Sequence, residues 1–282
     1  MDNFIEPPFS YTGSKFKMLD QLLPHFDYTK STFVDLFSGG GSVYTNILDK
    51  YDRIIVNDII GDLISIHKAL MESDDIIGLT KEYCPSKESQ EEFLELRESY
   101  NVENAPHKLW ALMLSSTNNM IRFNQKFKYN QTFGKRTWNK NTEEKTINFT
   151  EHIRKYKRKV KYISKNFSDV AIIENGMYYC DYPYGYTTDN SGNMLSKQIS
   201  ESGYNAFWKQ QDEVNLYEYL HKINNSNASF AISGVLYHDK KEAWVLSRLI
   251  KDGFANEQIN YDYNKVSRKG NKETTEIIIK NY

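Results

Sequence analysis

A carboxylate, a proline and two aromatic rings fall together at Asp181-Tyr182-Pro183-Tyr184, directly after the apolar run Tyr178-Tyr179-Cys180. An apolar run with such a punctuated end reads as a buried strand whose carboxyl edge opens into a loop, where open α/β sheets bind their ligands. Asp181 then stands at the mouth of a cleft and accepts hydrogen bonds from a substrate. Pro183 stiffens the loop and holds Tyr182 extended, while Tyr184 offers a flat ring. Together they suit a planar, amino-bearing substrate such as a nucleobase, stacked on the ring with its exocyclic NH2 bonded at the loop. An ordinary strand-to-loop turn carries the same letters, so the elements around it decide.

Those elements begin with Thr32-Phe33-Val34-Asp35-Leu36-Phe37-Ser38-Gly39-Gly40-Gly41-Ser42-Val43, a strand running into a glycine turn and then a helix through Tyr44, Ile47 and Leu48. Glycines let the main chain approach a ligand closely, and a following helix start favours polar or charged groups. The pattern is F-x-G-x-G, which argues against both the dinucleotide fingerprint and a nucleoside-triphosphate loop. A second strand, Arg53-Ile54-Ile55-Val56-Asn57-Asp58, ends in an acid where α/β nucleoside sites bind ribose hydroxyls. Asp58 is therefore a ribose candidate, with N-cap of the helix through Leu63, Ile66 and Leu70 as its other reading. Upstream, Tyr11-Thr12-Gly13-Ser14-Lys15 precedes a helical pattern containing Met18, Leu19, Leu22 and Leu23, and its N–H groups and Lys15 suit a carboxylate.

The 282 residues can bury a substantial core as one large domain or a domain with an insertion. With 36 Lys+Arg against 37 Asp+Glu, attraction to nucleic acid must come from local patches. Cys84 and Cys180 are too few and too separated for a disulfide framework or a four-ligand zinc site, so no metal is expected. The chain shows neither a charged-then-apolar leader nor an apolar run approaching a membrane span, so a soluble cytoplasmic protein is expected. The polar segment 189–202 is the best candidate for a mobile loop.

From residue 61 to 165 the strand–helix alternation gives way to a charged, helical stretch that reads as an insertion. Its centre, Ser115-Ser116-Thr117-Asn118-Asn119-Met120-Ile121-Arg122-Phe123-Asn124, leads to Phe127, Tyr129, Phe133-Gly134-Lys135-Arg136 and Trp138. Interleaved aromatics, amides and bases suit a hairpin or loop on DNA, where Arg pairs with guanine and Lys holds phosphate, and equally a solvated hairpin. The basic run 154–161 reads as an exposed helix face or a phosphate contact. Beyond the insertion, Phe167-Ser168-Asp169-Val170 leads back to the Asp181 strand, followed by strands at 230–233 and 275–279 and a helix over 245–250.

The order of these parts, from the Tyr11–Lys15 segment through FVDLFSGGGS, VND, NNMIRFN and FGKR to DYPY, resembles the Dam-type DNA adenine-N6 methyltransferases, particularly their phage-type branch, over nearly the whole chain. The resemblance implies an α/β fold: a Rossmann-like methyltransferase sheet with helices on both faces, and an inserted, mainly helical DNA-recognition domain with a hairpin. Residues 1–60 and 166–282 would form the catalytic domain, and 61–165 the target-recognition domain. It implies S-adenosyl-L-methionine as cofactor, contacted by Tyr11, Thr12, Gly13, Lys15, Phe37, Gly39, Gly41, Asp58, Phe167 and Asp181. Asp181, Tyr182, Pro183 and Tyr184 would be catalytic around a flipped adenine. Asn118, Asn119, Met120, Arg122, Asn124, Phe133, Lys135 and Arg136 would contact double-stranded DNA, with Arg122 on a guanine. Tyr204 resembles a family aromatic beyond the catalytic loop. GATC is the family's common target, a restriction endonuclease its possible companion, and a bacterial or phage-infected cell its setting.

Two positions depart from the family pattern. Tyr182 stands where D-P-P-Y has its first proline, and Thr132-Phe133-Gly134 stands where related recognition loops carry Pro-Phe-Gly. The first position offers a main-chain carbonyl to the adenine amino group, which any residue can supply, so Tyr182→Pro is expected to preserve or raise activity if only that carbonyl matters. A catalytically impaired DNA- or cofactor-binding relative and a cytosine-N4 methyltransferase stand as alternatives.

Overall fold

A computed structural model describes residues 4–8, 11, 13–73, 75–124, 126–183, 185–189, 191–199, 208–260 and 274–282. Where a helix through Met18 and Leu23 was expected, the chain makes 3-10 turns at Phe16–Met18 and Leu23–His25 around one α turn, α1 (Leu19–Leu22). Pro24 has no N–H to continue the ladder. Then come β1 (Thr32–Asp35), α2 (Ser42–Thr45) and β2 (Arg53–Asn57). Five helices follow: α3 (Gly61–Glu72), α4 (Asp75–Tyr83), α5 (Gln90–Glu103), α6 (Pro106–Ser115) and α7 (Lys140–Arg154). The alternation resumes with β3 (Val160–Ile163), β4 (Gly176–Cys180), β5 (Tyr186–Thr188), β6 (Met194–Gln198), α8 (Gln210–Asn224), β7 (Ser229–His238), β8 (Lys241–Glu242), α9 (Trp244–Lys251), β9 (Ala255–Ile259) and β10 (Thr274–Lys280).

The chain divides into two compact units: residues 1–16, 38–49 and 56–164, and residues 17–37, 50–55 and 165–282. In the second unit the strands run in the order β2-β1-β4-β7-β10-β9, with β8 on β7. β1, β4 and β7 are parallel, with Asp35 opposite Tyr179 and Cys180 opposite Ile232, whereas β10 is antiparallel to both β7 and β9. β1 and β4 are buried along their whole length. Phe33 and Val34 of β1 and Met177 to Cys180 of β4 read as short apolar runs, as central parallel strands do, although β1 also buries Thr32 and Asp35. At the other extreme the edge strand β9 is exposed through Gln258 and carries polar residues. Phe26, Phe33, Tyr51 and Tyr179 pack ring to ring beneath the sheet, at centroid distances of 5.1–5.4 Å. The result is a mixed α/β fold with a mostly parallel central sheet and flanking helices, consistent with a Rossmann-like methyltransferase sheet.

Most of the segment expected as a mobile loop folds as the β5–β6 hairpin. Its turn is closed by Asp189, whose carboxylate accepts from the Ser191 and Asn193 N–H groups.

The first unit centres on α6, buried from Lys108 to Ser115 and in contact with α3, α4 and α5. A helix apolar on every side belongs inside a bundle. Its C-terminus runs into a 3-10 turn, Thr117–Asn119, and a hairpin with bridges at Ser116–Phe133 and Phe123–Tyr129. The basic run is not one exposed helix face. α7 ends at Arg154, whose guanidinium bonds the Leu70 and Ser73 carbonyls at the end of α3, and β3 begins at Val160.

Candidate active site

In the first unit the glycine turn is built by main-chain geometry. Gly39 and Gly41 have φ of +46° and +81°. A Cβ at Gly39 would lie 2.7 Å from the Tyr11 ring, and one at Gly41 would lie 2.5 Å from Tyr44 and 2.8 Å from His67. Both glycines are therefore required by conformation and by space. The Gly39 N–H donates to Asp58 Oδ2 (3.0 Å), and Asp58 Oδ1 accepts from the Ile60 N–H (2.9 Å). Asp58 is thus not the N-cap of α3, a position held by Ile60. Burial pushes its carboxyl up, against the pull of the Ile60, Gly39 and Ile59 N–H groups.

His67, fully buried on α3, closes the turn from the other side, with Nε2 2.9 Å from the Gly39 carbonyl and Nδ1 3.0 Å from the Tyr44 hydroxyl. A carbonyl only accepts, so Nε2 carries the proton and Nδ1 accepts from Tyr44, whose oxygen lies 3.3 Å from the Tyr162 hydroxyl. Burial lowers the His67 pKa to about 4, opposed by the Gly39 carbonyl. Sequence reading missed His67 because a histidine on the apolar face of a helix carries no local sign of what it faces.

Among the other expected cofactor contacts, Gly13 has φ of +84°, and Lys15 is buried with its ammonium 3.4 Å from the Gly13 carbonyl. Thr12 lies outside the described residues. In this unit Tyr11, Gly39 and Asp58 are brought together around one turn. The Ser38 hydroxyl is buried there without a hydrogen-bond partner. A glycine cradle, a buried carboxylate and an unused hydroxyl fit the ribose and amino-acid portions of a nucleoside-linked methyl donor.

In the second unit β1 and β4 lie side by side, and Leu36 N–H donates to the Tyr179 carbonyl (3.0 Å), so Phe37 and Asp181 leave neighbouring carboxyl ends. Phe37, Phe167 and Trp208 form a cluster with centroids 5.4–5.9 Å apart, and Tyr182 meets Trp208 at 5.9 Å. Phe167 also meets Tyr219, edge-on at 6.0 Å. The Tyr182 ring is buried. A Cβ at Gly185 would come within 3.0 Å of it, and one at Gly234 within 3.3 Å. That corrects the view of Tyr182 as a carbonyl with an incidental side chain: its ring fills a slot left by two glycines. Pro183 is half-buried, and Tyr184 and Tyr204 lie outside the described residues. Trp208 was not foreseen, since its partners come from three separate stretches of chain.

The expected DNA contacts fall in the first unit. Arg122 is exposed on the hairpin, where Nε donates to Asn130 Oδ1 (3.0 Å) and Nη2 to the Asn130 carbonyl (2.9 Å), so Asn130 orients the guanidinium. Arg136 donates to Asn119 Oδ1 (3.0 Å) beside a cleft of about 710 Å³ that also exposes Lys87, Asn139 and Lys145. Asn118 and Asn119 both adopt positive φ, as does the exposed Lys135. Others of the set serve the hairpin itself. Asn124 Oδ1 accepts from the Lys126 and Lys128 N–H groups, Phe133 packs on Phe93 at 5.4 Å, and the Met120 carbonyl accepts from Tyr129. At Gly134 a Cβ would lie 2.4 Å from the Ser116 carbonyl, which clamps the FGKR turn to the end of α6. Asn101 on α5, also unforeseen, bonds both the N–H and the carbonyl of Tyr129 and so replaces a neighbouring strand.

Among the described residues no helix is long and apolar enough to cross a membrane, and no group of three or more His, Cys, Asp or Glu could hold a metal ion. A mostly parallel sheet with a glycine turn after β1 and an acidic aromatic loop after β4 defines an α/β protein whose strand ends carry the candidate site. The chain belongs to the D12 class N6 adenine-specific DNA methyltransferase family, whose model matches residues 11–274. It is 29% identical over its full length to Type II methyltransferase M.FokI of Planomicrobium okeanokoites and 28% identical over 99% of its length to modification methylase StsI of Streptococcus sanguinis. Modification methylase LlaI of Lactococcus lactis subsp. lactis is 24% identical over 98% of the chain. In each comparison the chain spans 43% of the relative's length.

Proposed function

We propose that this chain transfers a methyl group from S-adenosyl-L-methionine to N6 of an adenine flipped out of double-stranded DNA. The observation that carries the reading is the position of Asp181, which leaves a buried central strand beside the carboxyl end of β1 in a chain of an adenine-N6 family. S-adenosyl-L-methionine, when bound, supplies a sulfonium methyl open to in-line displacement. Tyr11, Gly13, Lys15, Phe37, Gly39, Gly41, Asp58 and Phe167 would hold it, with Asp58 accepting from ribose hydroxyls. The target base must leave the stack to be reached.

Asp181 and the Tyr182 carbonyl then accept from the exocyclic NH2, which turns the nitrogen lone pair toward the methyl group. Pro183 stiffens the loop, and Tyr184 is the residue we assign to stacking on the base. Positioning and electrostatics supply the acceleration, and no covalent protein intermediate is needed. The buried Tyr182 ring supports an active loop, because it packs beneath the loop and leaves its carbonyl in place.

Residues 61–165 form the target-recognition domain in this reading, and 1–60 with 166–282 the catalytic domain. Asn118, Asn119, Arg122, Lys135 and Arg136 are the DNA contacts we favour, since their side chains lie at the surface or on its edge. GATC is the target that resemblance to the phage-type Dam branch implies. The names of the relatives support a restriction endonuclease companion in a bacterial or phage-infected cytoplasm. Purified protein, labelled methyl donor and DNA, followed by nucleoside analysis and site mapping, test the reading. N6-methyladenine at one short sequence is expected, and N4-methylcytosine or no product overturns it.

A further inference from the structure

We propose that Glu213 is the positioning residue of the Asp181 loop: its buried carboxylate ties the main chain just beyond the loop to Trp208 and thereby fixes where Asp181 and the Tyr182 carbonyl point. The proposal rests on the function above in so far as that loop performs the transfer. Glu213 lies in the first turn of α8 and is 0% exposed. Its Oε1 accepts from the Tyr186 N–H at 2.9 Å and from the Trp208 indole N–H at 2.7 Å, while its Oε2 has no hydrogen-bond partner.

The loop is shaped around this group. A Cβ at Gly185 would lie 2.4 Å from Oε1, 3.0 Å from Oε2 and 3.0 Å from the Tyr182 ring, so main chain, carboxylate and ring interlock where only glycine fits. Core packing alone does not call for a carboxylate here, because burying one is costly; its role is to accept the Tyr186 and Trp208 N–H groups, which an apolar side chain would leave unpaired. What the carboxylate adds is an acceptor shared by the two stretches of chain that flank the ring cluster. Neither stretch is in a helix or strand at the point of contact except at the first residue of β5, so no ladder joins them. Beside the carboxylate, the Tyr186 hydroxyl and the Gln198 side chain donate to the Trp208 carbonyl (both 3.2 Å), and Glu213 is the group that reaches the Tyr186 main chain.

The charge on that acceptor changes near neutrality. Burial pushes the Glu213 carboxyl up to about 7, with Asp212 on the same helix adding to the rise and the Trp208, Tyr186 and Val245 N–H groups opposing it. The Tyr182 phenol faces it from the loop. Because burial disfavours the ionised form more than its hydrogen bonds favour it, ionisation favours release of the group to solvent, and the loop is held more tightly below this pH than above it.

Two measurements on the full chain test this. Hydrogen exchange at the Tyr186 amide is expected to speed up by about tenfold or more in Glu213→Ala and by less than about threefold in Glu213→Gln, which keeps an acceptor at Oε1. Unchanged exchange in Glu213→Ala overturns the proposal. Should that variant not fold, Glu213→Asp, with the carboxylate withdrawn by one methylene, must show the same rise.

In methyl-transfer assays on DNA, the wild-type kcat is expected to fall as pH rises through about 7, and Glu213→Gln to lack that inflection and sit at the wild type's acid limb. Glu213→Ala is expected to lower kcat by about tenfold or more with the cofactor KM unchanged. The same inflection surviving in Glu213→Gln overturns the proposal. Wild-type protein that methylates nothing while the exchange pattern holds sinks the proposed function and leaves the anchoring role of Glu213 supported.

Discussion

The glycine turn of the first unit and the Asp181 loop of the second each lean on a buried carboxylate, and the two differ in how that carboxylate is satisfied. Asp58 uses both oxygens on main-chain N–H groups, and on the far side of the same turn His67 is neutral and donates to Gly39. Glu213 gathers a side-chain N–H from Trp208 and a main-chain N–H from Tyr186 on one oxygen, with the Val245 N–H also favouring its ionised form. A turn fixed by main-chain φ and a neutral imidazole keeps its shape across ordinary pH. The Asp181 loop rests instead on a carboxyl whose ionisation falls near pH 7. The contrast suits the proposed division of labour, with a constant cradle for a donor that is always the same and an adjustable loop for a base that must enter and leave.

The largest expected effect breaks the loop's chemistry and spares its frame. Asp181→Ala removes an acceptor from a strand end that is only half-buried, so kcat is expected to fall by on the order of 10³-fold while the unfolding midpoint moves little. Near-normal turnover in the folded variant would rule out its role.

Next comes Tyr182→Pro, which a carbonyl-only role predicts to be harmless. With the ring filling the slot between Gly185 and Gly234, proline leaves a cavity, and a loss of about 3 kcal/mol in stability is expected while Tyr182→Phe stays close to wild type. Chemical denaturation distinguishes the two. A Pro variant as stable as the wild type would restore the carbonyl-only view.

This residue also shows where sequence stops being informative. β1 and β4 were legible because strands buried on both faces are mostly apolar, even though β1 buries Asp35, and the acid just past the end of β4 was legible because it breaks such a run. The helix expected through Ile47 and Leu48 ends at Thr45 instead. The Asn46 carboxamide takes the Ser42 carbonyl and the Ile5 N–H, and its main chain tightens to a 3-10 bond with Val43. Trp208, Glu213, His67 and Asn101 escaped notice for one shared reason. Each is defined by partners brought from distant sequence, and neither spacing nor composition records such a meeting.

The pH dependence of stability sharpens the comparison, because the two buried groups act with opposite sign. His67 resists protonation in the folded chain down to about 4 against an ordinary 6.5, so its site loses about 3 kcal/mol as pH falls from 6.5 to 4. Glu213 resists ionisation up to about 7 against an ordinary 4.5, so its site is most favourable below 4.5 and loses about 3 kcal/mol as pH rises to 7. Between roughly 4.5 and 6.5 the two trends offset each other. Glu213→Gln is therefore expected to gain stability relative to wild type as pH rises through that range, and His67→Gln to gain as pH falls. Denaturation curves at pH 4.5, 5.5 and 7 for the three proteins check both slopes. Parallel curves would mean that neither group titrates as its surroundings require.

The smallest effect concerns Arg122, which carries the contrast between fixed and adjustable geometry to the proposed DNA contacts of the first unit. Asn130 holds its guanidinium from two directions, which gives a planar donor array a set orientation, as a bidentate guanine contact needs and a phosphate contact does not. Arg122→Ala is expected to relax the choice at one base position by about 1–3 kcal/mol and leave the others unchanged. Asn130→Ala, which removes the side-chain half of the hold, should relax the same position by a smaller amount, since the Asn130 carbonyl remains. Methylation rates on single-base variants of the mapped site, measured at two salt concentrations, separate the readings. A phosphate contact would weaken all sites together and lower the salt slope. Uniform loss of that kind would remove Arg122 from base reading and leave the neighbouring Arg136, held by Asn119, as the side chain to test next.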